Sequence, residues 1–141
     1  MSGFEALDRQ QLGDALRAQG LDGWLVFDFH GINPIASRLL SPRGMVTRRV
    51  FLWLPAVGEP QLLVHVIDRP AFADFPGAVE TFMTWQDLHR ALQALVQGRR
   101  VAMEVFPDNA VPYLDLVPSG VVHLLERMGA CLLYTSDAAD E

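Results

Sequence analysis

The 141-residue chain contains no lysine; all eleven of its basic residues are arginine. We read this as the codon usage of a GC-rich genome and not as a binding surface. There is one cysteine, Cys131, which excludes a disulfide framework and a cysteine-based zinc cluster. No apolar run approaches the roughly 18 residues needed to cross a bilayer. The opening MSGFEALDRQ lacks the basic-then-apolar pattern of a secretory leader. A soluble, cytoplasmic protein is the expectation, with no membrane partner. The formal net charge of −6 argues against nucleic acid as a partner. Phosphate-cradling loops are also missing: Gly20-Leu21-Asp22-Gly23 precedes a strand and does not link a strand to a helix. Ser37, Ser41 and Ser119 lack the context of a nucleophile elbow.

Half of the residues are hydrophobic and only 20% are charged, enough for one compact domain with a single core. Ser2-Gly3-Phe4-Glu5 has the form of a capping box, and Phe4, Leu7, Leu12, Ala15 and Leu16 fall on one helical face, with Gly20 to stop it. Trp24 to Phe27 is an apolar strand without alternation, which requires cover on both faces. Asn33-Pro34 opens a short helix through Leu40, with Asn33 as N-cap and Pro34 at the first helical position. Thr47 to Pro55 and Gln61 to Val66 read as an antiparallel hairpin joined at Val57-Gly58-Glu59-Pro60. A short helix over Ala71 to Phe75 leads to a strand at Val79 to Met83. Thr84 caps a helix carrying Leu88, Ala91, Leu92, Leu95 and Val96, which stops at Gly98. Val101 to Val105 is the fifth strand, and Pro118-Ser119 caps a last helix ending at Gly129. Helices alternate with strands around one inserted hairpin, so the expected architecture is a three-layer α/β/α sandwich on a mixed sheet. A doubly wound parallel sheet is the alternative.

The stretch Val101 to Tyr113, VAMEVFPDNAVPY, is a buried strand ending in an acid, followed by a Pro/Asp/Asn turn. It resembles the signature near the end of the N-terminal domain in the creatinase, prolidase and aminopeptidase P family. LRAQGLDGWLVFD, INPIASRLL, TRRVFLWLPAVGEPQLLVH and SGVVHLLERMG are similar to further segments of the Xaa-Pro aminopeptidase-like branch, so the likeness spans residues 5 to 130. Asp115-Leu116-Val117-Pro118 departs from the family pattern by lacking its Arg and Asp. The resemblance implies a creatinase N-terminal domain-like, ribonuclease H-like fold. It implies an accessory domain that shapes the substrate end of a pocket and builds a homo-oligomer. Catalysis would belong to a separate C-terminal domain, where two divalent metal ions (Mn, Co or Zn) are held by two Asp, one His and two Glu. No such ligand motif occurs in this chain, so no cofactor is expected within it. A stand-alone binding or oligomerisation module is the alternative.

The last eleven residues, Cys131 to Glu141 (CLLYTSDAADE), match the translation of a transposon-end sequencing adapter and are read as non-native. The expected native domain is therefore 1–130, in a protein that continues past it. If the segment is native, it reads as a strand over Leu132 to Tyr134 with a Ser136-Asp137 helix cap.

Among individual residues, Asp28, His30, His65 and Asp68 invite a metal reading because they lie near strand ends, where α/β folds place ligands. Their D-x-H and H-x-x-D spacings are loose, and a turn-organising role for Asp28 and His30 is favoured. The resemblance places His30 and Asn33 on a loop facing a substrate pocket, so these two are the candidate site residues. No catalytic residue is assigned. Arg48 and Arg49 read as a solvated strand end or an interface pair. Glu104, without a nearby partner, reads as structural. Trp53 and Trp85 read as core or interface aromatics.

Overall fold

The computed structural model describes Phe4 and residues 6–134. The Ser2–Glu5 capping box and the Ser136-Asp137 cap lie outside the described residues. The first helix, α1 (Arg9–Ala18), starts later than its apolar face suggests. Asp8 is its N-cap, accepting from the Gln11 amide at 3.0 Å, and Phe4 is buried ahead of the helix. Gly20 follows α1 at φ 71°, as a helix-terminating glycine does. Next come β1 (Gly23–Phe29), α2 (Pro34–Leu40), β2 (Arg49–Pro55) and β3 (Gln61–His65). A 3₁₀ turn at Arg69–Phe72 replaces the short helix expected at Ala71–Phe75. Then follow β4 (Ala78–Phe82), α3 (Trp85–Val96), β5 (Arg100–Met103), α4 (Ser119–Arg127) and β6 (Cys131–Tyr134). Thr84 caps α3 through the Asp87 amide. Ser119 does not cap α4; Pro118 stands at the N-cap and gives no side-chain bond.

One six-stranded sheet runs in the order β4-β3-β2-β1-β5-β6. β2 is antiparallel to both of its neighbours, and every other pairing is parallel. The sheet is therefore mixed, as expected, with the β2–β3 hairpin inside it. Two apolar layers cover it. On one face Leu88, Leu92, Leu95 and Val96 of α3 and Val122 and Leu125 of α4 pack on Leu25, Phe27, Phe51, Trp53, Leu63 and Val101. On the other face Ala36 and Leu39 of α2, with Leu12 of α1 and Phe72, pack on Val26, Val50, Leu52, Leu62 and Val64. Adjacent positions of β1 and β2 thus face opposite cores, which is why neither strand shows polar alternation. The tail residues Cys131–Tyr134 pair in parallel with β5 as the edge strand.

Candidate functional site

Because β2 alone runs backwards, the ends of β1, β3 and β4 and the start of β2 lie along one end of the sheet. The register fixes this: Phe29 pairs with Arg49, Val50 with Val64, and His65 with Phe82. Local chemistry builds this end. Asp28 is buried at the end of β1 and accepts from the Gly31 amide at 3.0 Å and the Asn33 amide at 2.8 Å. These bonds hold a tight turn in which His30 has φ 63° and Gly31 φ 75°. His30 is exposed, its ring 5.3 Å from that of Phe29. Asn33 is buried and fully engaged. Its Oδ1 accepts from the Ile35 and Ala36 amides, capping α2, and its Nδ2 donates to the Phe27 carbonyl at 2.7 Å.

Asp68 does for the start of β2 what Asp28 does for the end of β1. It is buried, and it accepts from the Thr47 amide (3.1 Å), the Thr47 hydroxyl (2.8 Å) and the Arg48 amide (2.9 Å). His65 Nδ1 accepts from the Ile67 amide at 3.0 Å, and its ring meets Phe82 edge-on. The carboxylates and the imidazole nitrogen that suggested a metal site are thus committed to backbone N–H groups. Among the described residues no group of three or more His, Cys, Asp or Glu is placed to hold an ion. With its donors committed in this way, the set does not fit a metal.

What this end does offer is apolar surface and positive charge. The exposed large hydrophobic side chains are Phe29, Ile32, Met45, Val57, Val66, Ile67, Met83 and Trp85. All but Val57 lie here, following β1, β3 and β4 or preceding β2. Their exposures run from 41% for Val66 to 75% for Met45, and exposed apolar side chains gathered at one end of a fold are characteristic of interaction surfaces. Arg48 and Arg49 sit in the middle of the row, and no carboxylate ion-pairs with either among the described residues. The charge of Arg49 reaches His89, whose pKa is lowered first by burial and then by Arg49 and Arg127. Trp85 stacks edge-on against His89 at 5.3 Å. Sequence patterning had no means of marking this row, because its members come from separate segments that only the sheet aligns.

Glu104, just past β5, is the one candidate whose role the sequence understated. It is 6% exposed, and neither carboxylate oxygen has a hydrogen-bond partner. Desolvation pushes its pKa up; smaller opposing effects come from its own backbone and from Trp24 and Asn33. Trp24 and Asn33 are thus the side chains that act on it, though neither meets it in full hydrogen-bonding geometry.

The class that this arrangement defines is a mixed-sheet α/β/α domain with one apolar end, and comparison with solved structures gives the class a name. The fold is that of creatinase/prolidase N-terminal domains. The N-terminal domain of an X-Pro dipeptidase from Streptococcus pyogenes superposes with a TM-score of 0.65 at 14% identity, over 89% of this chain and 97% of that one. A proline dipeptidase from Streptococcus pneumoniae gives 0.60 at 23% identity, over 99% and 96%. The prolidase from Pyrococcus horikoshii gives 0.63 at 13% identity over 92% of this chain, but the chain spans only 32% of that protein. No protein-family model and no curated protein sequence matches.

Proposed function

We propose that this chain is the N-terminal accessory domain of a prolidase-like or Xaa-Pro aminopeptidase-like metallopeptidase, not catalytic by itself. Its native extent is residues 1–130, and a C-terminal domain carrying two divalent metal ions completes the enzyme. The observation that carries this reading is the row of exposed apolar side chains at one end of the sheet, with Arg48 and Arg49 in its middle and no carboxylate paired with either among the described residues. Such a surface suits packing against a second folded surface bearing carboxylates. The size relation supports the same reading: the chain matches nearly all of an isolated N-terminal domain and about a third of a whole prolidase. His30, exposed on its left-handed turn, is the residue that would face the pocket. Asn33 would position it by fixing the turn between β1 and α2. Soluble, cytoplasmic residence and assembly into a homo-oligomer belong to this proposal.

The test is an assay of the purified chain with an Xaa-Pro dipeptide in the presence of Mn²⁺ or Co²⁺. No turnover is expected, and turnover abolished by a chelator would overturn the reading. The genomic reading frame past codon 130 is the companion test. It is expected to encode two Asp, one His and two Glu as metal ligands, and a stop codon there would favour the stand-alone module.

A further inference from the structure

The α1/α2 face carries a cavity that plays no part in the accessory role. It holds about 350 Å³ and lies between the end of α2 and the connection from β3 to β4. Small-molecule sites run from about 300 to about 1,000 Å³, so one small ligand fits. Phe4, Leu39, Leu40, Phe72, Phe75 and Pro76 form its apolar walls. Phe4, Leu39 and Phe72 belong to the core on this face, and Leu40 and Phe75 pack against it. The Phe4 and Phe75 rings stand 5.3 Å apart at 55°.

Backbone bonds fix these walls to one another. The Phe4 amide donates to the Leu39 carbonyl at 2.9 Å. The Arg43 amide donates to the Ala71 carbonyl at 2.8 Å, tying the segment after α2 to the 3₁₀ turn. The Phe72 carbonyl accepts from the Phe75 amide at 3.1 Å and from the Arg69 guanidinium at 3.2 Å. Two charged side chains, Arg43 and Asp74, complete the lining. Arg43 Nη2 stands 2.5 Å from Asp74 Oδ2, and the two side chains are 73% and 66% exposed. The ion pair therefore stands where the cavity meets solvent. Such an exposed pair contributes little to stability and is open to exchange. Among the described residues, Ser41 is the other polar side chain of the lining, and its hydroxyl donates to the Arg38 carbonyl at 3.4 Å.

We propose that this cavity binds a free α-amino acid with a large apolar side chain. The side chain enters between the phenylalanines, the α-carboxylate pairs with Arg43, and the α-ammonium pairs with Asp74. The inference goes beyond the accessory-domain reading and does not depend on it. The charges select a zwitterion over a simple ion. A lone anion would take Arg43 and leave Asp74 without its partner, and a lone cation would do the reverse. A ligand with both charges on one carbon exchanges one ion pair for two. The walls select an apolar side chain, because they offer it contact area and no free side-chain polar group.

The experiment is a ¹H–¹⁵N NMR titration of the purified chain with L-phenylalanine, L-serine, N-acetyl-L-phenylalanine and L-phenylalaninamide. Phenylalanine is expected to shift the amides of Leu39 to Ser41, Arg43 and Ala71 to Phe75, saturating at about millimolar concentration. Blocking either charge should raise the dissociation constant about tenfold, and serine should give no saturable shift. Asp74→Asn should weaken phenylalanine about tenfold without weakening N-acetyl-phenylalanine. Arg43→Gln should weaken phenylalanine as much without weakening phenylalaninamide. Both positions are exposed, so each variant should keep the fold. No saturable shift up to about 20 mM phenylalanine would overturn the proposal. So would equal affinity for serine or for the blocked forms, or shifts confined to the open end of the sheet.

Discussion

The two ends of the sheet are built from the same strands and differ in what they leave outside. At the end where β1 and β5 begin, segments far apart in sequence are cross-linked by hydrogen bonds. The Asp22 amide donates to the Arg100 carbonyl at 2.8 Å, and the Arg100 amide donates back to Asp22 Oδ2 at 2.8 Å. The Ala56 amide donates to the Asp22 carbonyl, and Arg17 donates to the Ala56 carbonyl, each at 2.8 Å. Arg99 lies 5.7 Å over the Trp53 ring. At the other end Asp28 closes its own turn and Asp68 ties the β3–β4 connection to the start of β2, while a row of large apolar side chains is left outside. Both ends spend polar groups on the fold, but among the described residues the closed end exposes one large apolar side chain, Val57, and the open end seven.

Substitutions can break this contrast, and the largest effect belongs to the closed end. A Cβ on Gly23 would come within 2.4 Å of the Trp53 ring, with buried neighbours around both residues. Gly23→Ala should destabilise the domain by about 3 kcal/mol in urea denaturation, as overpacking does. Asp68→Ala removes the acceptor of two amides and a hydroxyl at the base of β2 and should lower stability by about 2 kcal/mol. Asp22→Ala, which leaves the Arg100 amide exposed to water, should reduce it by about 1 kcal/mol. Ile32→Ser and Trp85→Ser at the open end should change it by less than about 0.5 kcal/mol. A loss of several kcal/mol from either of these last two would show that the open end belongs to the core, and the contrast would fail.

Much of the fold was legible before any coordinates. The unbroken apolar run of β1 tells of cover on both faces, and the Asn33-Pro34 pair places the start of α2 because its chemistry is local. The start of α1 was misplaced because Phe4 and Leu7 continue its apolar face while contributing to the core from outside the helix. Ser119 has the residue type of a cap but makes no capping bond, since a suitable residue type does not ensure a bonded one. The need for glycine at position 23 was invisible, as it is set by Trp53 on the neighbouring strand. At the candidate site, the turn-organising reading of Asp28 held. Asn33 is spent on the backbone, and His30 remains accessible. Glu104 has no partner nearby in sequence, and its burial beside Trp24 and Asn33 is set by packing that the sequence does not display.

The hydrogen-bonded register between β1 and β5 spans just two residue pairs, Gly23–Val101 and Trp24–Ala102. Everything before Thr84 supplies β1 to β4 as one contiguous block, and everything after it supplies β5, β6 and the two helices of a single layer. The two blocks are therefore joined by few backbone bonds and by a broad apolar layer, and Thr84 is the natural place to cut between them. Fragments divided there would each retain their own strand pairings and would find one another through the apolar layer that α3 and α4 lay over the first block.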